Sequence, residues 1–291
     1  MKHLKCAAAA LALLLLASCG RTAPPPAPAA QRFGDDPLWD DGRFEVSTYV
    51  GSTERGGEER PTVARLVVMA GRLTPAGTQD TTRTLSFDFV VGIPADAGRE
   101  TTAAVLRRDS LDPIEVRVSR SERCGLTRVH LGRDAGRFVQ TVASCLAEAP
   151  PGRTAVTWPA DGRPQVCWDA LPVWLRGLAG ETAGRKPPFE VRVWLLPGQL
   201  SGRSPLERAR PLDAVVRVTE ADSIDVPAGR FAALEIAVAA EGKADAYWLD
   251  AKYPHALLKM QTAAHRTLGL TRTARVAAAA PADPTGGAPA R

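Results

Sequence analysis

Side chains able to do acid–base, nucleophilic or metal chemistry are sparse in this sequence and poorly clustered. Past the first nineteen residues there are three histidines, His130, His255 and His265. A serine or cysteine triad needs a histidine that another group orients. The nearest approach is His255, which follows Pro254 at a strand edge with Asp250 one loop away. A histidine in an exposed turn accounts for the same residues, and His130 and His265 read as solvent-facing strand positions. No Gly-x-Ser-x-Gly elbow, His-Glu-x-x-His pair, Cys-x-x-Cys pair or phosphate-cradling Gly-Lys loop occurs. Asp35, Asp36, Asp40 and Asp41 offer oxygens to a hard cation such as Ca²⁺, but without EF-hand spacing and beside a linker they read as a solvated charge run. The expectation is a non-enzyme: no catalytic residue, no cofactor and no metal.

Cysteine is the remaining reactive type. Cys6 and Cys19 lie in the N-terminal segment, leaving Cys124, Cys145 and Cys167. An odd number in an oxidising compartment implies one bridge and one spare thiol. Gly132-Arg133-Asp134-Ala135-Gly136 is a turn signal between two apolar runs. A hairpin folded about Asp134 and Ala135 sets Cys124 opposite Cys145, with Val129, Leu131, Phe138 and Val142 on the other face. That pair is the disulfide candidate; a link to Cys167 and three reduced, buried thiols remain the alternatives.

The N-terminal segment explains Cys19. Lys2 and Lys5 form a basic head, Ala7 to Leu16 is an unbroken apolar run, and small residues Ala17 and Ser18 follow. A run of about 10 residues is short for a membrane span, and the whole reads as a secretory signal over 1–18. Leu16-Ala17-Ser18-Cys19 resembles a bacterial lipobox, which implies a Cys19 thiol converted to a thioether-linked diacylglycerol and an acylated new amino terminus. Each buried methylene contributes about 0.8 kcal/mol, so several chains moor a protein without a spanning helix. Gly20, where enteric lipoproteins retained at the inner membrane carry Asp, points by the same resemblance to the outer membrane.

Removing the signal leaves 35 basic against 32 acidic residues, a net charge near +3. The arginines are interleaved with acids rather than clustered, which excludes a nucleic-acid footprint. Residues 19–40, with the string Ala-Pro-Pro-Pro-Ala-Pro-Ala-Ala, read as an acylated Cys and a semi-rigid tether. Residues 277–291 are Ala, Pro and Gly with little apolar bulk and cannot offset their ordering entropy. Between them, 41–276 is long enough for one large β domain or two sub-domains broken near 150.

That region reads as strands over 43–50, 65–73, 83–91, 113–119, 127–131, 137–144, 190–196, 213–219, 231–239, 244–249, 257–262 and 268–276, punctuated by Gly, Pro and Asp. The density of short strands predicts an all-β fold, mainly antiparallel. One segment differs. Leu171, Trp174, Leu175 and Leu178 follow helical spacing, with Asp169 as N-cap, Pro172 in the first turn and Gly177 or Gly180 as the end. It is expected to be a short amphipathic helix whose stripe plugs the sheet.

The order of this helix (WDALPVWLR, 168–176), a strand (FEVRVWLL, 189–196), the Pro-Ala-Gly-Arg-Phe turn and strand within 225–236, and Tyr247-Trp248 to Met260 with Pro254 resembles a family of exported bacterial β-domains. That family is domain of unknown function 3108. The resemblance covers about 155–276; it departs at Pro172, where the family has Ser, and places the Arg nearer. It implies a curved sheet or partly closed barrel enclosing the helix, and carries over no catalytic residue.

Five tryptophans, 158, 168, 174, 194 and 248, lie in that half. Either they fill a helix–sheet core, or Trp174, Tyr247 and Trp248 line an apolar groove for a lipid, glycan or hydrophobic peptide. The expected role is non-enzymatic binding or scaffolding in the cell envelope on the periplasmic side, with the membrane as partner through the anchor and a lipid, glycan or envelope protein beyond it. A lipid carrier with a half-barrel groove is the alternative, and a hydrolase the last resort.

Overall fold

A computed structural model describes residues 33–74, 81–94, 98–122, 125–134, 137–144, 152–157, 164–182, 187–195 and 209–277. The first eight strands are β1 (Arg43–Arg55), β2 (Glu58–Leu73), β3 (Thr82–Ile93), β4 (Gly98–Arg107), β5 (Pro113–Glu122), β6 (Gly125–Asp134), β7 (Arg137–Ser144) and β8 (Gly152–Val156). After β9 (Gln165–Cys167), a 3-10 turn (Trp168–Ala170) leads into the helix α1 (Leu171–Thr182). Then follow β10 (Phe189–Leu195), β11 (Arg210–Val226), β12 (Gly229–Ala240), β13 (Lys243–Asp250), β14 (Leu257–Gln261) and β15 (Arg266–Ala277).

All fifteen strands form one sheet in the order β8-β7-β6-β5-β4-β3-β2-β1-β15-β14-β13-β12-β11-β10-β9. The fold is all-β and mainly antiparallel, as the strand density predicted, and the sheet does not close on itself. Only β9 runs parallel to its neighbour β10, and a parallel pair needs a crossover, which α1 supplies. Laid flat, fifteen strands at about 4.8 Å spacing would span about 67 Å. Yet β8 and β9, its two edges, are joined by eight residues, which reach at most about 30 Å. The connection therefore forces the sheet to curl. Its two sides do meet: the Gln140 side chain of β7 accepts from the Ala209 N–H just before β11 at 2.6 Å. Across the curl, Arg266 of β15 reaches Glu100 of β4 at 2.9 Å.

Alternation sets the inner face. Leu85, Phe87, Phe89 and Val91 of β3, or Leu234, Ile236 and Val238 of β12, are buried on one side while their neighbours face out. Turns follow their chemistry. Gly56 and Gly57, both with positive φ, make the tight β1–β2 turn. Pro227 and Ala228 sit between the paired Val226 and Gly229, and Gly229 takes φ +130° as β12 begins.

The structure corrects several expectations. The helix is not amphipathic: every residue from Leu171 to Ala179 is buried, because the sheet wraps it instead of leaving one face to water. It also runs past Gly177 and Gly180 to Thr182, and Asp169 lies inside the preceding 3-10 turn rather than capping the helix. The β6–β7 hairpin forms and Val129 pairs with Val142, but its last pair is Asp134 with Arg137. The tip is thus one residue later than predicted. Cys124 and Cys145 themselves lie outside the described residues.

Candidate functional site

The densest convergence of polar and aromatic groups is at the rim where the chain enters the body. Residues 33–40, predicted to end the tether, are packed. Phe33 and Trp39 are buried, their rings meet edge-on at 5.3 Å, and the Trp39 Nε1–H donates to the Phe33 carbonyl at 2.8 Å. Gly34 lies so close to the chain after β4 that a Cβ there would sit 1.9 Å from the Arg108 carbonyl oxygen. Only glycine fits.

Asp35, Asp40 and Asp41 around this segment stay exposed to water and are also ion-paired. Asp40 accepts from Arg108 at 2.6 Å and from Arg83 at 3.1 Å. Asp35 lies 3.3 Å from Arg83, and Asp41 2.8 Å from Arg275. Asp36 accepts from the Leu38 N–H and starts the 3-10 turn Pro37–Asp40. The Arg108 hydrogen bond holds the Asp40 carboxyl below the usual range, and Arg275 does the same to Asp41. Sequence spacing hid this because each partner lies far away along the chain.

Beneath the rim, Arg176 of α1 makes a two-pronged ion pair with Glu45 of β1, both bonds at 2.8 Å. The side chains are 0% and 5% exposed. The guanidinium also donates to the Pro254 carbonyl in the β13–β14 turn and stands 5.0 Å from the centre of the Phe33 ring. Arg275 faces Trp39 at 5.1 Å. One cation thus ties helix, sheet centre, turn and entry segment together. Its desolvation is tolerable because both carboxylate oxygens and a carbonyl satisfy it.

A second buried polar cluster lies at the start of the helix. Asp245 of β13 accepts from Trp168 Nε1 at 2.7 Å, from the Tyr247 hydroxyl at 3.2 Å and from the Ala263 N–H at 2.8 Å. Burial raises its pKa. Cys167 is buried and free, and burial followed by the nearby Asp169 pushes its thiol well up. A protonated, inaccessible thiol is structural.

The sequence-derived candidates fall as follows. Cys19, Cys124, Cys145 and Trp158 lie outside the described residues. Trp174 is 4% exposed and Tyr247 0% exposed, both facing the packed interior. Trp248 points to the opposite face from Tyr247, as adjacent strand residues must, and Lys259 covers its ring at 4.8 Å. The three do not line one groove. His255 is buried, and its Nδ1 meets the Asp250 backbone carbonyl at 2.9 Å, while the Asp250 carboxylate accepts from the Lys252 N–H. His255 and the Asp250 carboxylate therefore form no dyad. His130 is exposed on β6 beside Glu115, and His265 is exposed, but in the turn before β15. No group of three metal-ligating side chains occurs among the described residues, and no described helix is long and apolar enough to cross a membrane.

No family model matches this chain, that of the exported β-domains resembling residues 155–276 included, and no curated protein matches it. Among solved structures it is similar to a beta-barrel-like protein of domain of unknown function DUF1849 from Brucella abortus. The identity is 11%, the TM-score 0.46, and the alignment covers 81% of this chain and 98% of that one. A likeness of that size carries no weight by itself; the architecture stands on its own strand pairing. The class is a β-barrel-like domain built from one open, curled sheet around a buried helix.

Proposed function

We propose that this protein is an acylated envelope lipoprotein whose β body acts as a non-enzymatic binding or scaffolding module on the periplasmic side of the outer membrane. The observation that carries the reading is the filling of the concave side: α1, Trp168, Trp174 and Trp194 occupy the space where a small substrate or carried lipid would lie. Contacts with partners then fall to the outer surface and the rims. The sequence supports the anchor through Leu16-Ala17-Ser18-Cys19 and the Pro-rich stretch behind it. The fixed entry at Phe33, Gly34 and Trp39 suits a body held by its N-terminal side.

The test is labelled palmitate incorporation with membrane fractionation of the Cys19→Ser variant. Loss of label and release from membranes are expected. Unchanged retention without label would overturn the anchor. Native mass spectrometry bears on the interior: a stoichiometric lipid surviving purification would replace the scaffold reading with the carrier.

A further inference from the structure

Strand β1 departs from the usual alternation in its first half. Inward Glu45 and Ser47 are polar, with Tyr49 the aromatic that follows them into the core, whereas Phe44, Val46 and Val50 face outward beside Thr48. Its neighbour adds Val63 and Met69 to the outer side, and Val50 pairs directly with Val63. These two valines are 42% and 47% exposed. An antiparallel sheet facing water on one side normally carries polar residues there, so this strip calls for a covering. At one end it opens into a shallow groove of about 410 Å³ between Val63, Val90, Ile93 and Pro94, floored by Gly92 and flanked by Arg65 and Arg99.

The charges on this face indicate the covering. Arg65 pairs across the ladder with Thr48, which pairs in turn with Arg272, and Arg99 pairs with Gly92. No ion pair among the described residues involves Arg65, Arg99 or Arg272, in contrast to Arg83, Arg108, Arg176 and Arg266 elsewhere. Of the carboxylates on this face, Asp88 lies beside Arg117, and Glu54 and Glu59 oppose each other at the β1–β2 hairpin end, away from Arg65 and Arg272. Apolar side chains interleaved with unpaired guanidinium groups fit the boundary between acyl chains and anionic headgroups. They fit a second copy poorly, because a two-fold contact would set like charges against each other. The entry segment also packs on β1 and β2, the strands that carry the strip.

The geometry points to the outer face of β1–β4 as a docking surface for an anionic bilayer, with headgroup phosphates at Arg65, Arg99 and Arg272 and the valines at the glycerol level. It rests on the anchor reading only for the presence of a bilayer nearby. The test uses the full mature chain carrying Cys19→Ser, mixed with phosphatidylglycerol–phosphatidylethanolamine vesicles or with phosphatidylcholine vesicles. Co-sedimentation with the anionic vesicles alone, weakened by salt, is expected. Arg65→Ala should weaken it about fivefold, the worth of one basic residue at such a surface. Gly92→Asp should weaken it more: the backbone there has no positive φ, and the new Cβ meets nothing nearer than Val63 Cγ2 at 3.6 Å. Melting curves of both variants should match the parent. Failure to bind anionic vesicles, equal binding to both vesicle types, or binding unchanged by both substitutions would overturn the proposal. A dimer in solution that Gly92→Asp dissociates would overturn it in favour of a second copy. Acylation is read separately by the palmitate label, so loss of either reading leaves the other standing.

Discussion

The two arms of the sheet are built differently. From β1 to β8 the core is side chain on side chain, with Leu66, Val68, Leu85, Phe87, Phe89 and Leu106 in one apolar cluster and the buried hydroxyls of Thr62, Thr84 and Thr102 around it. From β9 to β15 the sheet faces a helix, and the interior holds indoles, a thiol and buried carboxylates joined by hydrogen bonds. A sheet curled on itself needs only alternation to fill its inside, whereas a sheet wrapped round a helix must also fix that helix in rotation and depth. The polar contacts do this fixing: Arg176 to Glu45 at the middle of the helix, Trp168 to Asp245 in the turn before its start.

The sharpest way to break this contrast is Arg176→Leu. It strands Glu45 without its counter-charge in the interior and should cost about 3–5 kcal/mol. Equilibrium urea unfolding of Arg176→Leu with Glu45→Leu should recover most of that loss. A double variant as unstable as the single one would show that the pair does more than compensate itself. In the other arm, Leu85→Ala should follow cavity behaviour, about 2–5 kcal/mol, with no partner substitution that restores it.

Trp168→Phe keeps most of the apolar volume but removes one donor from Asp245, and about 1–3 kcal/mol is expected by the same measurement. Gly34→Ala should unseat the entry segment through its clash with the Arg108 carbonyl. A loss of similar size, about 1–3 kcal/mol, should come with quicker proteolysis before Asp40.

The smallest effect is in pH, and its sign separates the two carboxylates. Asp245 has a folded pKa above its ordinary 3.8, so the native state binds more protons and ionisation destabilises it. Stability should therefore rise as pH falls from the raised folded value towards 3.8. The deficit of Asp245→Asn relative to the parent should accordingly widen on acidification. Asp40 has a folded pKa below 3.8; its contribution is present above 3.8 and lost as pH falls through the lower value. The deficit of Asp40→Asn should shrink instead. Melting temperatures across that range read both, and parallel curves for the two variants would remove the distinction.

Much of the sheet was legible because its inner face is apolar by alternation, and the longest strands stand out in the sequence. The strand β4 was not: between Gly98 and Arg107 its inward positions are Glu100, Thr102, Ala104 and Leu106, too small an apolar contrast for a period of two. The three residues of β9 have no period at all. The helix was found from Leu171, Trp174, Leu175 and Leu178, but its wrapping was not, because Arg176 reads as a solvent-facing break in the stripe. Nothing local tells that Glu45, 131 positions away, will meet it. The same blindness applies at Asp40, whose partner Arg108 is distant in sequence, and at Gly34, whose need for a bare Cα arises from a strand end 74 residues later. The lesson for Glu45 is general: a carboxylate at an inward strand position signals a buried partner, and here the structure supplies it in Arg176.

The pairing of β1 with β15 has a consequence for biosynthesis. The oldest and the newest strands become neighbours at the middle of the sheet, so a nascent polypeptide carries an open β edge from its first hairpin until the fifteenth strand is made. Non-local closure of this kind is slow, and an exposed edge recruits other strands meanwhile. A chain cut between Gln261 and Arg266 would hold both half-sheets without the strand that pairs them, which makes such a truncated product a candidate for aggregation rather than for partial activity.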